Sequence, residues 1–227
     1  MGVTRETLVH YKTLKDKGYH DFTDKIKIME LGAQTVHFED KPFFEEYLAA
    51  LNLDVGLAEQ YKYNMSCKSM HQSWGHEYTS IDLDPLDPES LQWNLNYIQC
   101  PDEHIGRYEL VTNHGTTEHL IGQLSAFKLV HDLLKVYGTA IHVLPCLEAN
   151  HGFFSYSPVF FECLARENNY EMVGMYLSEC MSAQELKELK PYDGNIYTYP
   201  CYVHAIMRKK ENSEFKAPSQ IHINGVK

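Results

Sequence analysis

Two hydrophobic rhythms alternate along the chain. Short apolar runs read as strands buried on both faces. The first, Ile26-Lys27-Ile28-Met29-Glu30-Leu31, runs into a turn at Gly32. Tyr78-Thr79-Ser80-Ile81-Asp82-Leu83-Asp84 ends in acids, and residues 107–112 break into a polar turn. Thr139–Pro145, Glu171–Leu177 and the closing run Pro200–Met207 follow the same pattern. Between them, apolar residues recur at i, i+3, i+4 and i+7, the spacing of a helix with one buried face. This spacing predicts helices over 41–58, with Pro42 in the first turn, over 118–136, and over 158–169 from Pro158. Residues 1–25 read as one helix and a turn, 60–75 as irregular, Pro85-Leu86-Asp87-Pro88 as a turn, and 91–96 as a third strand or edge segment.

Strands alternating with helices predict a mostly parallel sheet covered on both faces. With no internal repeat or long linker, we expect one domain over 1–227. Its core would be about 26–210, with an N-terminal helix in 1–25 and a helical insertion at about 41–75.

Composition narrows the class. The 227 residues are 44% hydrophobic, enough for one good core, and no eighteen-residue apolar run occurs. The start, MGVTRETLVHYKTLKDKG, lacks the apolar stretch of a signal peptide, so a soluble cytoplasmic protein is expected, with no membrane partner. Six scattered cysteines without a CxxC pair read as reduced core residues. A net charge of −11 with dispersed basic residues repels phosphate backbones, which argues against nucleic acid and for a small-molecule substrate. Oligomeric state is not legible.

The candidate chemistry lies at predicted strand ends. Gly32 can let backbone approach a ligand closely, and Asp82 can hold ribose hydroxyls of a nucleotide-like cofactor. Asn113, His114, Glu118 and His119 gather after the 107–112 strand, and His151 opens His151-Gly152-Phe153-Phe154-Ser155-Tyr156. Thirteen histidines are many for this length. A histidine suits removal of a proton from an acceptor hydroxyl. His142, inside an apolar strand, reads as a hydrogen-bonded core residue, and Phe153, Phe154, Tyr156 and Phe160 as core, pocket lining or an aromatic lid. No HxH or HExxH pattern appears.

Glycine turn, acidic strand end and polar strand end, in that order, resemble the class I S-adenosylmethionine-dependent methyltransferases. Glu30-Leu31-Gly32-Ala33-Gln34-Thr35-Val36 matches their E/DxGxGxG turn with one glycine of three. Asn94-Leu95-Asn96, Leu133–Gly138 and Tyr202–Lys209 match an adenine or loop contact, the "LLKPGG" turn and the last sheet strand. LGAQ, SIDLD, NHGTTEH, IHVLP and HGFF mark a narrower, divergent branch. The resemblance implies a Rossmann-like, doubly wound α/β fold, with a mostly parallel seven-stranded sheet, an antiparallel closing strand and helical insertions. It implies S-adenosylmethionine held by Glu30, Gly32, Ala33, Gln34, Asp82, Leu83, Asn96 and Asn113. It further implies methyl transfer to a small-molecule hydroxyl, with His119, His114, Glu118 and His151 as catalytic candidates. Glu118-His119 resembles the Glu-His pair after the fourth strand of many small-molecule O-methyltransferases; Gly115 stands where some carry a further, cation-binding glutamate. Two alternatives stay open: a non-catalytic binding or regulatory protein, or an enzyme using a divalent metal on His114, Glu118, His119 and His151.

Overall fold

The computed structural model describes residues 2–38, 40–83, 88–148, 151–179, 190–194 and 201–220. Asp84, the turn at 85–87, Cys180 and Pro200 lie outside the described residues.

Helix α1 (Arg5–Asp16) leads into β1 (Lys27–Leu31), and helices α2 (Lys41–Ala50) and α3 (Cys67–Ser73) precede β2 (Glu77–Ile81). Then come β3 (Tyr108–His114), α4 (Gln123–Leu133), β4 (Leu134–Pro145), α5 (Pro158–Glu167), β5 (Tyr170–Glu179), β6 (Lys190–Pro191) and β7 (Cys201–Lys209). Local chemistry sets the helix starts. The Asp40 side chain accepts from Phe43 N at 3.0 Å, and Ser66 Oγ accepts from Ser69 N at 3.1 Å. Prolines 42 and 158 sit in first turns, where a missing N–H costs nothing.

The strands form one seven-stranded sheet in the order β2-β1-β3-β4-β7-β5-β6. The four from β2 to β4 run parallel, and β7 is antiparallel to both β4 and β5. The expected fold class is therefore present. The tally is reached differently from the sequence reading, because residues 91–96 give only a single parallel bridge, Leu91 to Ile81, and the two-residue β6 fills the opposite edge.

The insertion at 60–75 is not irregular throughout: α3 occupies 67–73, a seven-residue helix too short to show periodicity, which buries Cys67, Met70 and His71. Helix α4 starts at Gln123 rather than 118, because residues 117–119 make a tight 3₁₀ turn and Gly122 is pressed against the Asn96 backbone. Residues 134–136 belong to β4, where Leu134 pairs with Tyr108 and a register shift follows.

Alternation along the strands builds two cores. Ile28, Leu110, Ile141 and Ile206 pack under α1–α3 with Leu8, Phe44, Leu48 and Trp74. On the other face Met29, Val111 and Ala140 meet Leu129 and Leu133 of α4, while Val203, Ala205 and Met207 meet Phe161 and Leu164 of α5. From β1 the chain steps outward to β2 and then returns to place β3 on β1's other side. The carboxyl ends of β1 and β3 thus flank a topological switch point, the place where open α/β sheets bind ligands. Among the described residues no helix is long and apolar enough to cross a membrane. The five described cysteines are free of disulfides.

Candidate active site

The first half of the site is the turn after β1. Gly32 has φ +74°, a left-handed value that glycine adopts without strain, and its N donates to Ile81 O at 2.7 Å. A Cβ there would lie 2.4 Å from Thr116 Oγ1, and that hydroxyl donates to Leu31 O at 2.6 Å. The ends of β1 and β3 are thereby locked together. Asp82, just past β2, accepts from Ala33 N at 2.9 Å, which fixes the acid relative to the glycine turn. Beside it Leu83 is 58% exposed, an apolar surface at a strand end.

Glu30 and Gln34 hold this turn from behind. Glu30 is fully buried, accepting from Gln34 N at 3.2 Å, from Thr112 Oγ1 at 3.3 Å and from the Tyr78 hydroxyl. The Gln34 side chain packs into the turn where the family pattern has a glycine, with Nε2 3.5 Å from Thr116 Oγ1. Asn96 ties loops together: its Oδ1 accepts from Gly122 N at 2.9 Å, and its Nδ2 donates to Asn94 at 3.1 Å.

Asn113 is buried toward α4 and α5. Its Nδ2 donates to Thr117 Oγ1 at 2.9 Å and lies 3.1 Å from His142 Nδ1, while Oδ1 accepts from Thr117 N at 3.3 Å. His142 thus has the core role expected of it. Burial pushes its pKa down to about 3, with the His114 charge a lesser cause.

The second half of the site lies past β3. Glu118 is fully buried, and its Oε1 is 3.2 Å from His151 Nε2 and 3.7 Å from His119 Nε2. His119 is half exposed and His151 partly so. Burial raises the carboxyl pKa of Glu118, opposed by its own backbone amide and the two imidazoles. Its Oε2 has no hydrogen-bond partner among the described residues. The one ligand atom offered by each of these three residues lies within 4.8 Å of the other two, close enough for one metal ion.

His114 does not join them, contrary to the four-residue cluster expected from the sequence. Strand alternation turns it to the α1–α3 face, fully buried, with Nδ1 3.6 Å from Glu30 Oε1.

Gly152 and Gln123 are positioning residues that carried no sequence signal of their own, and Tyr156 was legible only as an aromatic. Gly152, with φ +68°, passes so close to Glu118 that a Cβ would lie 2.7 Å from its Cγ. The following amides of Phe153 and Phe154 donate to Glu118 O at 2.7 and 3.2 Å. Tyr156, a core aromatic rather than a lid, donates to Gln123 Oε1 at 2.6 Å, and Gln123 Nε2 donates to Thr117 O at 2.7 Å. Phe153 is 69% and Phe154 37% exposed, and Ile121 is 70% exposed, giving this edge an apolar rim.

No protein-family model and no curated protein matches the chain. Solved structures do. The 1,6-didemethyltoxoflavin-N1-methyltransferase of Burkholderia thailandensis, seen with 1,6-didemethyltoxoflavin and S-adenosylhomocysteine, superposes with a TM-score of 0.51 at 11% identity, over 91% of this chain and 80% of that one. A Galdieria sulphuraria protein assigned as a sarcosine dimethylglycine methyltransferase gives 0.51 at 10% identity, over 88% and 84%. The chain has the fold of the class I S-adenosylmethionine-dependent methyltransferases.

Proposed function

We propose that the protein is an S-adenosylmethionine-dependent methyltransferase acting on a small molecule, with a hydroxyl oxygen as acceptor. One observation carries the reading: the link between the Gly32 turn and Asp82 stands at the switch point, with Glu118, His119 and His151 beyond β3 on the same carboxyl edge.

The residues present suit the cofactor. Asp82 would hold the ribose hydroxyls, Leu83 would offer apolar contact to the adenine, and the positive-φ turn at Gly32 would admit the amino-acid end past bare backbone. Ala33 and Gln34 shape that turn and Glu30 braces it, while Asn96 and Asn113 hold the neighbouring loops at Gly122 and Thr117. Bound S-adenosylmethionine would supply an electrophilic sulfonium methyl, so the protein's share is alignment and deprotonation. His119, the more exposed imidazole, would take the acceptor proton, with Glu118 and His151 orienting and stabilising the charged ring. His114 would act from behind the turn through Glu30. The net charge of −11 supports a small acceptor over nucleic acid.

Calorimetric titration with S-adenosylmethionine and S-adenosylhomocysteine tests this. Micromolar binding that Asp82→Ala weakens by more than about tenfold is expected, a loss of about 1.4 kcal/mol or more. Binding unaffected by Asp82→Ala would remove the ribose assignment. Tight binding without turnover on any hydroxylated acceptor would favour the non-catalytic reading.

A further inference from the structure

We propose that Glu118, His119 and His151 bind one divalent first-row transition ion. The site stands on its own geometry; its role, presenting the acceptor oxygen, rests on the methyl-transfer reading above and takes the place of proton removal by His119, whose ring would then stay neutral as a ligand.

A carboxylate taken fully out of water is costly unless something compensates it. Among the described residues the compensation at Glu118 is incomplete. One imidazole reaches Oε1 at 3.2 Å, the second stops at 3.7 Å, and Oε2 has no partner among the described residues. A cation among the three groups would satisfy all of them. Metal–nitrogen and metal–oxygen bonds of about 2.1 Å place neighbouring ligand atoms roughly 3 to 3.4 Å apart. The two measured separations are within a few tenths of an ångström of that range, and the remaining pair lies within 4.8 Å. A small turn of the half-exposed His119 ring closes the set.

The donor types select the ion. Two neutral imidazoles with one carboxylate suit zinc, iron, cobalt or nickel, whereas calcium and magnesium favour oxygen-only shells. The exposed side, at His119 and His151, leaves coordination positions that an acceptor hydroxyl can fill. Metal binding there would lower that hydroxyl's pKa and fix its direction. The frame is already rigid: Glu118 O takes the Phe153 and Phe154 amides, and Gly152 leaves no space for the two segments to separate around a side chain.

The test uses untagged full-length protein stripped with a chelator. Zn²⁺ is titrated by calorimetry, and Co²⁺ by its visible absorption, which reports nitrogen and oxygen ligation directly. One equivalent at micromolar or tighter affinity is expected. His119→Ala and His151→Ala should each weaken it more than about tenfold, since losing even an outer partner of a ligand costs 10–100-fold. Glu118→Gln should do the same, and the exposed His119 variant keeps the test valid if the buried Glu118→Gln protein does not fold. Affinity no better than millimolar, or affinity unchanged in both histidine variants, overturns the site. A parallel S-adenosylmethionine titration separates the two readings. Cofactor binding without ion uptake overturns the metal site alone; ion uptake without cofactor binding upholds the site and removes its assigned role.

Discussion

A methyl group on residue 152 would meet both Cγ and the carbonyl oxygen of Glu118, at 2.7 and 2.8 Å. Neither can retreat, because Glu118 is buried and its carbonyl already accepts two amides. The backbone at Gly152 adds a left-handed φ of +68°, which costs a non-glycine residue about 1 kcal/mol or more. Gly152→Ala should therefore lift the His151 loop off Glu118. Under the proposed function the expected outcome is turnover lowered at least about tenfold with S-adenosylmethionine affinity unchanged, because the contact lies wholly on the side proposed for the acceptor. A parallel loss of cofactor affinity would show that the two halves are not independent. Gly32→Ala is the counterpart. It carries the same kind of strain at φ +74°, with a Cβ 2.4 Å from Thr116 Oγ1, and should weaken cofactor binding first. Gly32 was legible because it followed an apolar run. Gly152 was not, since its requirement comes from Glu118, thirty-four residues earlier in the chain.

At the scale of elements, β3 sorts the site. Its seven residues end in two polar side chains on opposite faces, Asn113 toward α4 and α5, His114 toward α1–α3. Period-two alternation makes this unavoidable, yet a sequence reading that stops the strand at 112 places both residues in one loop and pools their functions. The same blurring extended α4 back to Glu118. Apolar periodicity runs through Leu120 and Ile121, and only the packing of Gly122 against Asn96 breaks it. The strands themselves were legible because short apolar runs have few other uses, whereas α3 was too short to announce itself. Asn113 is the brace where these elements meet, joined to Thr117 by two hydrogen bonds and lying 3.1 Å from His142. Asn113→Ala strands a buried imidazole and a backbone amide. At about 1–3 kcal/mol for each of the two unsatisfied groups, the variant should lose about 2–6 kcal/mol in urea denaturation at pH 7.5. A loss below 1 kcal/mol would mean that these groups repartner easily.

Across the whole molecule, the excess of histidine has a thermodynamic consequence separate from any chemistry at the site. Burial lowers the pKa of His20 and His76 to about 4, and of His142 and His204 to about 3. His10 and His71 are also driven well below 6.5, burial again being the largest cause. Each is held neutral in the fold and protonates near pH 6.5 once the chain unfolds. The unfolded state therefore binds more protons between pH 6.5 and the folded values, and stability rises with pH across that window. Above pH 6.5 the contribution is complete; on acidification each such group removes about 1.4 kcal/mol per pH unit. Four of them would remove about 5 kcal/mol by pH 5.5, a large part of the 5–15 kcal/mol of a typical domain. Other groups scarcely interfere. Ordinary carboxylates titrate near 4, below the range from pH 6.5 to 5.5, and His37 and His131, also lowered chiefly by burial, act in the same sense. Glu118, its pKa raised by burial, works in the opposite sense as one group against several. Chemical denaturation at pH 7.5, 6.5 and 5.5 should give a midpoint nearly constant over the first step and falling steeply over the second. A flat profile down to 5.5 would mean that these histidines are protonated in the native state, and that the two cores contain counter-charges or water to hold them.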